Sequence, residues 1–195
     1  MARYLGPVLK KCRSLGIEPQ VIGINKKSNR NPQRSNRKLS EYGLQLREKQ
    51  KAKFIYGVQE KQFRTLFGKA EKMQGITGEN LLKLLELRFD NVVYRMGFAQ
   101  TRDEARQLIS HGHFVINGKK VDIPSYTCSV DDVITVKESS RSKGKFKDTD
   151  EKAWNQVQWV SVDAEKLEGK IVAEPQREDL DYEIEEHLIV ELYSK

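Results

Sequence analysis

Between Arg88 and Lys120 the chain sets out side chains whose types and spacing suit the holding of a polyanion. Arg102 and Arg106 stand at i and i+4 with Gln107 beside them, and Arg88 and Arg95 lie on the stretch before. A guanidinium is planar, permanently charged and forked, so it meets a phosphate through two hydrogen bonds at once. His111 and His113 flank Gly112, and Asn117, Lys119 and Lys120 follow a short apolar run. Two histidines could serve as metal ligands, but a third donor is lacking, and a place facing RNA, a stacking contact with a base or a plain surface position are the competing readings. No glycine-rich nucleotide loop and no nucleophile paired with a base is found, so no catalytic residue, cofactor or metal ligand is assigned.

These residues need elements to carry them. Phe89, Val92, Val93 and Met96 keep a helical period that Gly97 ends. Thr101-Arg102-Asp103-Glu104 is a capping box, and Ala105, Leu108 and Ile109 form the inner stripe of the helix it opens. Phe114 to Ile116, the Asn117-Gly118 pair and Val121 to Ile123 predict a hairpin, since Asn-Gly tolerates the positive φ angles of a type I′ turn. Strands are expected at 133–136, 157–162 and 170–172, and a polar loop over 138–152. Upstream, Ser40 caps a helix with Leu44, Leu46, Phe54 and Ile55 inward, ended by Gly57. Phe63, Leu66, Phe67, Ala70 and Met73 stripe a second helix, and Thr77 caps a leucine-rich third. Ile184, Leu188, Ile189 and Leu192 predict a last helix that docks on the early ones.

Charge is segregated along the 195 residues. Residues 1–72 hold 18 Lys and Arg against 5 Asp and Glu, a net of +13, while the rest hold 17 against 23, a net of −6. The stretch NKKSNRNPQRSNRK from Asn25 to Lys38 has six cations and no acid. It cannot bury enough apolar surface to order itself, so it reads as an arm that folds on an anion. A half this basic repels itself unless a polyanion is near, and each phosphate met by Lys or Arg releases counterions. Hydrophobic residues make up 37% and charged residues 32%, with mean hydropathy −0.68, a solvated composition with a modest core. Cys12 and Cys128 stand far apart with no CxxC pair, which argues for reduced thiols in the cytoplasm. No apolar run reaches membrane length, and the first residues carry no secretory pattern.

The run RFDNVVYRMGFAQTRDEARQLISHGHFVINGKK from Arg88 to Lys120 resembles the S-four RNA-binding module, whose pattern is R-(L/F)-D-N-x-x-Y-R-x-G followed by T-R-x-x-A-R-Q-L-x-x-H and an (N/D)-G turn. That module also occurs on pseudouridine synthases, tyrosyl-tRNA synthetases and heat-shock RNA binders. The flanks are similar instead to the S-four family of small-subunit ribosomal proteins: MARYLGP at the start, KLSEYGLQLREKQK from Lys38, GENLL from Gly78, and EHLIVELYSK at the end. Many members hold zinc with four cysteines in their first forty residues, and only Cys12 remains here, which implies a zinc-free branch. The Pro-Pro-Gly-Gln-His-Gly stretch usual before the first helix is replaced by residues 31–36, NPQRSN.

The resemblance implies an α+β protein. A mainly helical domain (40–87, completed by 176–195) would follow a basic arm (1–39) and carry an inserted domain (88–174), with the module itself at about 88–150. It implies a primary binder of 16S ribosomal RNA in the cytoplasmic small subunit, one that nucleates assembly of the subunit body. It also implies a place near protein S-five and the path by which mRNA enters, with an effect on decoding accuracy, and, in some members, repression of their own operon. The expected RNA contacts are Arg3, Lys10, Lys11, Arg13, Lys26, Lys27, Arg30, Arg34, Arg37 and Lys38 in the arm, Arg47 and Lys51 on the first helix, and Arg88, Asn91, Arg95, Arg102, Arg106, Gln107, His111, His113, Asn117, Lys119 and Lys120 in the module. The acidic C-terminal third is expected to face protein. A module-bearing RNA-modifying enzyme and a free-standing stress RNA binder are the competing classes, the first short of chain for a catalytic domain. No membrane and no small-molecule substrate is expected.

Overall fold

The structure, a computed structural model, describes residues 4–26, 39–141, 146 and 157–194. The chain is α+β and divides into two compact units: Met1–Leu82 with Leu180–Lys195, and Lys83–Asp179.

The first unit is helical. Helix α1 (Val8–Leu15) turns Cys12 and Leu15 inward and stops at Gly16, whose φ of 72° ends the helix in the left-handed conformation. Helix α2 (Glu41–Ile55) begins where the Ser40 hydroxyl accepts from the Gly43 amide at 3.2 Å. Helix α3 (Glu60–Ala70) buries Phe63, Leu66, Phe67 and Ala70. Met73, expected on the same stripe, lies past the helix end and is 43% exposed. Helix α4 (Thr77–Glu86) contains Thr77 as its first residue, one position later than a cap.

The inner face of α2 differs from the apolar one expected. Gln45, Glu48, Ala52 and Ile55 are buried, while Leu44 is exposed. The reason is the C-terminal segment, which meets α2 through polar groups. Gln45 donates to Glu191 at 3.0 Å. The Glu48 carboxylate takes the Glu185 amide at 3.3 Å and the Lys51 ammonium at 3.0 Å, and Lys51 also donates to the Glu183 carbonyl. The Tyr182 hydroxyl donates to that of Tyr56. The closing helix α8 (Glu186–Ser194) then packs along α2. At its start a side chain on Gly78 would lie 2.7 Å from Glu186 Cγ, so only glycine lets α4 and α8 approach this closely. Tyr193 of α8 lies 4.6 Å from the Phe67 ring, and its hydroxyl donates to Glu60 at 2.9 Å.

The second unit pairs two helices with a sheet. Helices α5 (Phe89–Arg95) and α6 (Arg102–Ser110) cover the antiparallel strands β1 (Phe114–Ile116), β2 (Lys119–Lys120), β3 (Val133–Val136), β4 (Val160–Asp163) and β5 (Glu168–Ile171), in the order β2-β1-β3-β5-β4. The core comprises Phe89, Val92, Val93, Met96, Ile109, Phe114, Ile134, Trp159 and Ile171, each at most 2% exposed. Phe114 is its aromatic centre, with the Phe98 ring at 5.8 Å and the Phe89 and Phe146 rings at 6.2 and 6.1 Å. The hairpin turns at Asn117 (φ 48°) and Gly118 (φ 76°), and the return strand is Lys119–Lys120 rather than 121–123. A two-residue loop pairs Ile116 with Lys119 at once, which leaves Ile123 beyond the ladder and 57% exposed. Residues 138–141, expected as loop, form the short helix α7 (Glu138–Arg141). The strand expected at 157–162 begins at Val160.

Partial burial pushes the Glu60 carboxyl up, yet the hydrogen bonds it accepts from Lys53, Lys49 and Tyr193 outweigh this and bring it down to about 2. A carboxyl lowered on folding adds stability above its unfolded value, and that stability fades as pH falls through the folded value. Since Glu60 is half exposed, solvent limits the effect to roughly 0.2–1 kcal/mol. Melting of wild type and Glu60→Gln from near neutrality to about pH 2 is expected to show the wild type ahead at neutral pH and the gap closing with acidification. A gap constant with pH would mean that Glu60 holds α2, α3 and α8 by packing alone.

Candidate nucleic-acid interface

The arginines that the spacing placed on an outer face turn inward. In the second unit, Glu86 at the end of α4 accepts both Nε and Nη2 of Arg95 at 3.1 Å. The same carboxylate takes the Asn91 amide at 2.7 Å, and the Glu86 carbonyl takes it at 2.8 Å. Asn91 Oδ1 in turn accepts Arg102 Nε at 2.7 Å, while the Arg102 guanidinium lies 4.3 Å from the Tyr94 ring centre. Asp90 is the second hub. Arg88 reaches its two oxygens at 3.1 and 2.8 Å, and Arg106 reaches Oδ2 at 3.0 and 2.7 Å.

The expected exposed guanidinium row is therefore corrected. The Arg95 side chain is fully buried, and Arg88, Arg102 and Asn91 are buried as whole residues. Arg106 keeps 11% of its side chain exposed and leans on Asp103 at 3.4 Å. The physical reason is that two carboxylates, Glu86 and Asp90, sit where the helices converge, and burying a charge is tolerable only when it is paired. Neither was singled out from the sequence. Glu86 lies nine residues before Arg95 and Asp90 sixteen before Arg106, distances at which no local period signals a pair. Thr101 caps α6 as expected, its Oγ1 accepting from the Glu104 amide at 3.2 Å, while the Glu104 carboxylate reaches one residue further back and accepts from the Gln100 amide at 2.5 Å.

What faces solvent is the outer side of α6 and the hairpin. Gln107, His111, Asn117, Lys119 and Lys120 are exposed, and His113 is half buried. Asn117 is committed to the fold, since its amide donates to Asp132 at 2.8 Å and its carbonyl takes the Val133 amide at 2.9 Å. The His113 ring shares a 2.9 Å hydrogen bond with Ser140 and lies edge-on to Phe146.

In the first unit Lys10 and Lys26 are exposed and Lys11 is half buried. Arg13 folds back on the Leu9 carbonyl at 3.3 Å. Arg47 lies over the end of α1, where a side chain on Gly16 would come within 2.9 Å of its Nη2. Lys51 is occupied by Glu48 and Glu183 as described above. Arg3, Lys27, Arg30, Arg34, Arg37 and Lys38 lie outside the described residues. Among the described residues no three His, Cys, Asp or Glu are placed to hold a metal ion, and no helix is long and apolar enough to cross a membrane. Burial raises the thiols of Cys12 and Cys128 and keeps both protonated.

Removing one partner of a buried pair leaves the other charge stranded, at a cost of about 3–5 kcal/mol. Arg95→Ala is therefore expected to lower unfolding stability by that amount in a denaturant titration, and Lys119→Ala to change it little. Equal effects would mean that Glu86 and Arg95 do not support the fold.

Two family models account for most of the chain: the ribosomal protein S4/S9 N-terminal domain matches residues 3–86 and the S4 domain residues 87–134. The boundary between the two matches falls within the charged cluster, with Glu86 in the first and Arg88 to Arg106 in the second. Small ribosomal subunit protein uS4 of Agathobacter rectalis is 56% identical over 97% of both chains. That of Lachnoclostridium phytofermentans is 55% identical over the full length of both, and uS4A of Alkaliphilus oremlandii is 56% identical, again over both full lengths. On this similarity, and with a charged α5–α6 pair backed by a small sheet, the chain belongs to the uS4 family of small ribosomal subunit proteins.

Proposed function

We propose that this chain is a structural constituent of the small ribosomal subunit that binds 16S ribosomal RNA through the outer side of the second unit and through its basic arm. The observation that carries this reading is the cationic hairpin standing next to a helix pair fixed from within: Lys119 and Lys120 are exposed, while Arg88 and Arg106 are held by Asp90, Arg95 by Glu86 and Arg102 by Asn91. With Lys119 and Lys120 on the hairpin and His111 at the end of α6 all exposed, a polyanion is favoured there. Family membership points the same way, since its proteins are structural and the chain is not an enzyme.

In this reading the cluster arginines and Asn91 act at one remove. They hold α5 and α6 at a fixed angle, and the phosphate contacts fall to Gln107, His111, His113, Lys119 and Lys120. A helix pair fixed by buried ion pairs, with an adjoining hairpin, suits folded RNA, where shape and backbone are read more than base edges. The arm over 1–39 supplies further phosphate contacts through Arg3, Lys10, Lys11, Arg13, Lys26, Lys27, Arg30, Arg34, Arg37 and Lys38. The helical domain (40–87 with 176–195) and the inserted domain (88–174) would together nucleate assembly of the subunit body in the cytoplasm.

Filter binding of the full chain to 16S rRNA at several salt concentrations tests this. Lys119→Ala with Lys120→Ala is expected to weaken binding and to reduce the log-log salt slope by roughly 1–2, with the melting temperature unchanged. An unaltered slope would remove the hairpin from the interface.

The acidic C-terminal stretch supports a protein contact, with S-five the expected neighbour close to the mRNA path and to decoding accuracy. Glu183 and Glu185 are exposed and Glu186 is partly so, and phosphate would be repelled there. Reversing these three charges should weaken co-assembly with S-five while RNA affinity holds or rises. Lost RNA affinity would place RNA on this face.

A further inference from the structure

Gly112 ends α6 with φ 70°, and its lack of a side chain shapes what surrounds it. A Cβ there would stand 3.0 Å from Lys120 Cε and 3.6 Å from its ammonium nitrogen, so the lysine lies across the glycine. The strand register, with Val115 opposite Lys120, returns the hairpin to this point. On either side of the glycine are His111 and His113, with ring centres 6.1 Å apart and nearly perpendicular. His113 is held by Ser140 and Phe146, while His111 is exposed. Among the described residues, the charged groups on the elements packed around them are Lys120 and Asp122 (3.6 Å apart, both more than half exposed), Lys137 just past β3, and Glu138 and Arg141 on α7.

A lysine lying across the glycine that separates two imidazoles gathers cations in one place once the imidazoles are charged, which is a poor arrangement unless an anion joins them. We propose that His111, Lys120 and His113 form a proton-linked phosphate contact, in which falling pH charges the imidazoles and tightens binding to RNA. This rests on the RNA reading above and assigns it a dependence on pH. Histidine titrates near pH ~6.5 when unperturbed. A phosphate close by favours the imidazolium, so the complex holds more protons than the free partners, and affinity climbs as pH drops through this range. An imidazole raised by one unit in the complex contributes about a tenfold gain in affinity.

The test is the dissociation constant of the full chain for 16S rRNA between about pH 8 and about pH 5.5, the range spanning histidine titration. Wild type, His111→Asn with His113→Asn, and His111→Asn alone are compared. The wild type should gain about tenfold or more on acidification. The double variant should lose that gain, and the single variant part of it. Titrating RNA bases affect all three proteins alike, so a gain that survives in the double variant overturns the proposal, as does a wild-type affinity indifferent to pH. Should the double variant fail to fold, His111→Asn decides: an undiminished gain overturns the proposal and a reduced one supports it. A wild type that binds 16S rRNA at no pH in this range fails in a different way and removes the RNA reading itself.

Discussion

Two buried carboxylates organise the second unit. Glu86 closes α4 and Asp90 opens α5, and between them they engage the guanidiniums of Arg88, Arg95 and Arg106 and the Asn91 amide, which in turn holds Arg102. Oil-like packing alone leaves the angle between two short helices loosely defined, since apolar contacts are not directional. Bidentate pairs are directional and costly to break. Fixing α5 against α6 fixes where the outer side of α6 points. The Phe114 aromatic cluster and the Gly169–Met96 approach, where a Cβ would lie 2.5 Å from the sulfur, then seat the sheet beneath.

The same economy of paired charge appears in the first unit. Glu48 and Glu60 take up Lys51, Lys49 and Lys53, cations that a helical wheel would assign to solvent or to a ligand. Among the described residues, the lysines expected to meet phosphate that stay exposed or half exposed without a carboxylate partner are fewer than the raw charge suggests: Lys10, Lys11 and Lys26 in the first unit and Lys119 in the second. Long-range attraction does not require direct contact, however, and paired cations in excess over acids still add to the field.

The elements legible in the sequence were those announced by local chemistry. Ser40 and Thr101 cap, Gly57 and Gly97 adopt positive φ, and Asn117-Gly118 turns, each decided by neighbours within a few residues. The stripe of α3 was legible because Phe63, Leu66, Phe67 and Ala70 bury apolar surface in period. The return strand of the hairpin differs from its expected place for a local reason: Val121 and Ile123 are the more strand-like residues, and the tight turn overrides their propensity. Two other placements differ from the sequence expectation because the partner is distant in the chain. Spacing alone turns Arg95 outward, since Glu86 carries no local link to it. Periodicity alone turns Leu44 inward, since it cannot see that the C-terminal segment offers α2 polar groups at Gln45 and Glu48. The pairing of β3 with β5 across more than thirty residues likewise left no local trace.

The central claim is that the buried arginines form a scaffold and the surface of α6 and the hairpin forms the contact. It is tested most directly by crosslinking the chain to ribosomal RNA in intact small subunits and locating the crosslinked peptides by mass spectrometry. Crosslinks are expected within residues 107–120 and on the basic arm, and none on the acidic stretch 181–186. Crosslinks confined to that acidic stretch, with 107–120 clean, would contradict the account.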